Sequence, residues 1–105
     1  RFDIEHIYAR SRMEREPLNA SESAELLGNK SLLEKRINIR AADYRFSDKV
    51  RYYKGSQKGR EATKIAELLE LADAKNDFTE EDILARNESI INGFLDYLGE
   101  NGLLK

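Results

Sequence analysis

The first apolar positions alternate. Phe2 and Ile4, separated by Asp3 and followed by Glu5 and His6, set a period-two pattern that predicts a short, half-buried strand. Residues 9–20, "ARSRMEREPLNA", hold the sole proline and mixed charges and read as a surface loop. Ser21 or Ser23 offers the oxygen that caps a short helix through Leu27, with Gly28 as its left-handed terminator. Gly28-Asn29 marks a tight turn, "KSLL" from Lys30 fits a second short strand although its pattern does not separate strand from helix, and residues 34–42 read as helix. Ser47 caps a further helix, "DKVRYYKG", closed by Gly55; "SQKG" is loop.

Beyond this point the period lengthens. Ile65, Leu68, Leu69 and Ala72 recur at helical spacing in "REATKIAELLELADAK", an amphipathic helix of about 15 residues. In "TEED", from Thr79, a capping box places acids in the positively polarised first turn of a second helix. Ile83, Leu84, Ile90, Ile91, Phe94, Leu95 and Leu98 line its apolar side, and Gly99 ends it. Apolar stripes at helical spacing are core surfaces before they are partner surfaces. The pattern therefore predicts an α+β domain in which residues 61–105 form a C-terminal helical hairpin packed on residues 1–60.

A chain of 105 residues is one domain's worth. With 40% apolar and 36% charged residues it has the make-up of a soluble, helix-rich globule, and no apolar run is long enough to cross a bilayer. The absence of cysteine excludes disulfides and thiolate metal sites. A start at Arg1 without a signal-peptide pattern reads as a domain excised from a longer protein, its partner domain or subunit missing.

Net charge is −2, but unevenly spread: residues 1–60 carry 14 Lys and Arg against 9 acids (+5), residues 61–105 carry 4 against 11 (−7). A polyanion is expected to meet the first part, with the acidic helices facing away. "KVRYYKGSQKGR", Lys49 to Arg60, holds five cations and two tyrosines without one acid, a composition suited to phosphate contacts and base stacking. Arg45, Lys49 and Arg51 are the candidate phosphate-binding residues. The plainer reading places Tyr52 or Tyr53 in the core and the charges on an ordinary solvated face.

The single histidine, His6, follows a carboxylate directly in "FDIEHI". A lone histidine is ordinarily a satisfied polar residue. Here Asp3 and Glu5 stand beside it, and Asn29 and Asn38 follow in "GNKSLLEKRIN". Carboxylate and carboxamide oxygens suit Mg²⁺, which usually takes one or two protein groups, and a neighbouring imidazole can remove a proton from water. Together they make a one-metal hydrolytic site for a phosphodiester.

"IEHI", "LGNKSLL" and the asparagine nine residues after Asn29 resemble the HNH nucleases, also called His-Me finger or ββα-metal nucleases. Within them the pattern is most similar to the C-terminal nuclease domain of GmrSD-type modification-dependent restriction enzymes. A later F-x-x-K (Phe46 to Lys49) and the "FTEEDILARNESI" helix extend the likeness over most of the chain. One departure is Tyr8, where many relatives carry a proline two residues after the histidine. The resemblance implies a small ββα-metal nuclease core with additional helices. It also implies a Mg²⁺-dependent DNA endonuclease, with Mn²⁺ as an alternative ion, working in the cytoplasm of a bacterium or archaeon in restriction or phage defence. Carried over, it makes His6 the general base and Glu5 and Asn38 metal ligands, with Asp3 a supplementary ligand. Asn29 then holds the turn and orients the histidine. Consecutive strand residues point to opposite faces, so Glu5 and His6 can serve one site only if the strand ends or bends near His6. The alternative function is a non-catalytic nucleic-acid-binding or interaction module using the basic surface of residues 49–60.

Overall fold

A computed structural model describes residues 1–40, 45–56 and 59–104. Strands β1 (Phe2–His6) and β2 (Lys30–Glu34) pair antiparallel, Phe2 opposite Glu34 and His6 opposite Lys30. Between them lie helix α1 (Arg10–Met13) and two 3-10 turns, Ser21–Glu25 and Leu27–Asn29. After β2 come α2 (Lys35–Arg40), α3 (Phe46–Lys54), α4 (Ala66–Ala74) and α5 (Glu80–Glu100). The α+β class read from the pattern is the class observed. The expected continuation of α2 to Ala42 lies outside the described residues.

Because paired strand residues share a face, Asp3 and Glu5 lie on the side of Leu33 and Ser31, and Phe2, Ile4 and His6 on the side of Leu32. The first face is covered: α2 packs on both strands and α3 on α2. Ile7, Tyr8, Leu33, Ile37, Phe46, Tyr53, Leu68, Phe78 and Ile83 form one buried cluster. The second face leaves Phe2, Ile4 and Leu32 half exposed.

The segment between the strands differs from the expected plain loop. α1 forms there because Arg12 is buried on it, its guanidinium 4.3 Å over the Tyr8 ring. Arg12 also donates to both oxygens of Asp77, at 2.9 and 3.0 Å. Ser21 and Ser23 do not cap the next turn; its N-cap is Ala20. Ser23 is buried and donates to Glu80, which also accepts from the backbone N–H of Asn19 and Ala20. Gly28 is not left-handed, since the described glycines with positive φ are Gly55, Gly59 and Gly102. Its requirement is steric: a Cβ there would overlap the Ile83 carbonyl oxygen and come within 2.7 Å of the Asn87 backbone nitrogen.

Gly55 does close α3 in the left-handed conformation, φ 63°. α3 begins at Phe46 with Arg45, not Ser47, as its N-cap. α4 is shorter than its apolar period suggested, because Glu34 holds the preceding chain extended, accepting from the Thr63 hydroxyl at 2.6 Å and the Lys64 N–H at 2.8 Å. The Thr79 capping box is present, with Asp82 as its reciprocal partner. α5 runs through Gly99 to Glu100, because Gly99 keeps negative φ and the left-handed turn falls at Gly102. α4 packs on α3 and α5 on the 27–29 turn. Arg86 ties α5 to α4 through both oxygens of Glu67, at 2.7 and 2.9 Å, while its Nη1 donates to the carbonyls of Leu27, Gly28 and Lys30.

Candidate active site

β1 ends at His6 and the chain turns away at once: Ile7 and Tyr8 are a bend leading to Ala9, the N-cap of α1. Asn29 holds that turn. Fully buried, it accepts the Tyr8 N–H on Oδ1 at 2.6 Å and donates from Nδ2 to the carbonyls of Tyr8 (3.0 Å) and Ala24 (2.9 Å). Its own backbone carbonyl accepts from the Ile7 N–H at 3.0 Å. A proline at position 8 would lack the N–H that Asn29 receives.

The bend lets neighbours on opposite faces of β1 reach one place. Glu5, His6, Asn38 and Lys49 line a single open cleft with Ile4 and Ser11. Asn38 comes from α2 and donates from Nδ2 to Asp3 Oδ2 at 3.2 Å. His6 is mostly covered, and Nε2 lies 3.5 Å from Glu25 Oε1. Arg10 and Lys30 also reach Glu25, at 3.4 Å each. The Arg10 guanidinium first, then His6 and Lys30, hold the Glu25 carboxyl below its ordinary range.

Glu5 is buried. Its Oε2 accepts from Lys49 Nζ at 2.8 Å and from the Tyr53 hydroxyl at 2.5 Å. Burial, and then the Glu5 carboxylate, push the Tyr53 hydroxyl well above its usual pKa, so it keeps its proton and donates. Lys49 and Tyr53 stand one turn apart on α3 and so face the same carboxylate. Sequence reasoning placed Lys49 on a phosphate-binding surface. It is instead 1% exposed under Glu5, because a buried carboxylate needs a cationic partner. The signal was present in the i, i+4 spacing of Lys49 and Tyr53, but their partner Glu5 lies 44 and 48 residues upstream of them.

The other two phosphate-binding candidates do not meet. Arg45 lines a cleft with Arg12, Ser47 and Asp77; Arg51 lines a cavity with Arg36 and Arg60. Lys58 of the basic segment lies outside the described residues. Tyr53 belongs to the core and Tyr52 is half-buried, as the plainer reading of that segment had it. Glu25 and Arg10, which frame the histidine, were not singled out from the sequence.

No three His, Asp or Glu side chains among the described residues stand close enough to hold a metal by themselves. The donor types in the cleft nevertheless fit Mg²⁺, which keeps several waters and needs few protein groups. Glu5 and Asn38 are the oxygen donors there, with Asp3 bonded to Asn38, and both described contacts to Glu5 fall on Oε2 rather than Oε1.

Residues 1–92 match the family model described as GmrSD restriction endonucleases, C-terminal domain. The chain belongs to this family. Searches of curated proteins and of solved structures return no match. The family makes the domain a restriction-endonuclease module of the α+β class, and its match spans β1 to the middle of α5, taking in the whole cleft. Among the described residues no helix is long and apolar enough to cross a membrane.

Proposed function

We propose that this GmrSD-family domain is a metal-dependent DNA endonuclease that hydrolyses phosphodiester bonds with His6 as general base. The observation that carries the reading is the convergence of Glu5, His6 and Asn38 on one cleft at the bend closing β1. Glu25, on Nε2 of His6, fixes the ring and leaves Nδ1 as the nitrogen that takes a proton from water. The water oxygen bonds to phosphorus as the bond to the 3′ oxygen breaks. Glu5 and Asn38, with Asp3 as a supplementary ligand, would hold a Mg²⁺ or Mn²⁺ ion. Such an ion supplies charge stabilisation to the scissile phosphate and the departing oxygen. Lys49 and Tyr53 hold the Glu5 carboxylate in place. Exposed Arg45 and Arg51 are proposed phosphate contacts, and the cleavage module is proposed to work in the cytoplasm with a further domain or subunit, in restriction of foreign DNA.

The test is cleavage of supercoiled plasmid with Mg²⁺ or Mn²⁺, set against EDTA and His6→Ala. Metal-dependent nicking or linearisation that disappears in His6→Ala while DNA binding persists is the expected result. Equal cleavage by His6→Ala would sink the assignment of the base. One observation favours the second reading, a non-catalytic nucleic-acid-binding module: Glu5 already has a cationic partner in Lys49. DNA binding by the folded chain without cleavage under any divalent ion would select that reading.

A further inference from the structure

Three arginines meet in a cavity of about 200 Å³ that shares no lining residue with the catalytic cleft. Arg36 comes from α2, Arg51 from α3, and Arg60 from the strand of chain that returns after α3. Both helices also serve the cleft, through Asn38 and Lys49. Residues two apart on a helix point roughly 200° apart, so the cavity opens on the far side of α2 and α3 from His6.

The cavity is built by local geometry. Gly55 turns the chain left-handed at the end of α3; a Cβ there would stand 2.5 Å from the Ala62 nitrogen. Thr63 then pins the returning chain by donating its N–H to the Tyr53 carbonyl at 2.8 Å. That close return brings Arg60 and Glu61 over the helix end. The last-turn carbonyls of Arg51 and Tyr52, which would repel an anion, are already occupied by the N–H groups of Ser56 and Gly55. Glu61 fixes Arg36 at 3.0 Å, and Asp48 lies 4.0 Å from Arg51. Arg36 also acts on Glu34, so among the described residues the cavity lining itself holds three guanidinium groups and the one carboxylate of Glu61, with Glu34 and Asp48 beside it. Ile37 and Tyr52 complete the wall with apolar surface.

We propose that this cavity is a second ligand site, distinct from the cleft, that takes the phosphate of a nucleotide unit. Guanidinium forks match phosphate oxygens bidentately, and the Ile37–Tyr52 wall suits the sugar or base attached to it. Its volume is below the roughly 300–1,000 Å³ of sites for drug-sized ligands, so it receives a phosphate and its sugar rather than a whole cofactor. The chemistry is shared by a strand of nucleic acid and by a free nucleotide. The site does not rest on the nuclease reading.

The test uses the 105-residue chain with His6→Ala and EDTA, so that no cleavage enters. One arm measures anisotropy of a labelled single-stranded oligonucleotide; the other measures calorimetric binding of thymidine 5′-monophosphate. Each is repeated with Arg36→Gln and Arg60→Gln combined, and with Lys75→Gln as a control on another surface. The expected result is saturable binding in at least one arm, weakened roughly tenfold or more by the double variant, as loss of charge-assisted contacts requires. In the strand arm the salt slope also falls by about one to two units. The control stays within about twofold, and circular dichroism is unchanged throughout. Binding in the strand arm alone identifies a nucleic-acid backbone, and binding in the other arm a free nucleotide. No saturable binding at low salt in either arm, or equal binding by the double variant, overturns the proposal. Failure of the plasmid assay leaves it standing.

Discussion

Asn29 is a single buried side chain that ties the turn after His6 to the turn before β2 through three hydrogen bonds. Truncation to Ala strands the Tyr8 N–H and the carbonyls of Tyr8 and Ala24 in the interior, and each unmet polar group there costs about 1–3 kcal/mol. Asn29→Ala is therefore expected to lose roughly 3 kcal/mol of stability in urea unfolding, with little change in slope. A loss under about 1 kcal/mol would mean that the bend at Ile7–Tyr8 is held by something else. Much of this residue was legible in advance, since Gly28-Asn29 announces a turn and the asparagine belongs to the resemblance. What was hidden was its partner, Tyr8, 21 residues away. That partnership gives position 8 a use for the N–H that a proline lacks. Lys49 was misread for the same reason of distance: its charge suggests solvent, and only a folded Glu5 shows why it is buried.

Elements read well from the sequence where their causes are local. β1 follows from alternation, the start of α5 from its capping box, and the end of α3 from Gly55. They read poorly where the cause lies in another element. α1 is a short turn that persists because Arg12 reaches Asp77, 65 residues on, and Gly28 is glycine because α5 crosses it, not because of its own φ. The Arg12–Asp77 pair makes this dependence measurable. Arg12 holds the Asp77 carboxyl below the ordinary aspartate range. A carboxylate depressed in the folded state adds stability that is present above its unfolded pKa and is lost as pH falls through the folded one. Asp77→Asn is thus expected to cost about 1 kcal/mol at neutral pH, a figure reduced for the half-exposed carboxylate. The difference from the parent should close as pH drops below the aspartate range. Denaturant unfolding across that range checks it, and a gap that widens in acid would show that the pair does not anchor α1.

At the scale of the whole molecule, the split between a basic first part and an acidic second part does not survive folding as two faces. Arg36 pairs with Glu61, Lys54 with Asp73, and Arg12 with Asp77, so cations of the first part are spent on acids of the second. Apolar surface, by contrast, is unevenly placed. Ile83 is the one buried residue of α5 among those described, whereas Ile91, Phe94, Leu95, Tyr97, Leu103 and Leu104 are exposed. The molecule is correspondingly long, 51 Å against 32 and 25 Å. The helical period promised a core face over the whole of α5, but the body it packs on reaches only as far as the 27–29 turn, through Ile83, Arg86 and Asn87. The family match stops at residue 92, near where those contacts stop. A chain ended after Asn92 should therefore unfold within about 0.5 kcal/mol of the parent, as expected for removal of groups outside the core. It should also bind less of an apolar fluorescent dye, because the exposed patch has gone. If instead its stability falls by several kcal/mol, residues 93–104 contribute to the folded body, and the apolar stripe of α5 is core along its full length.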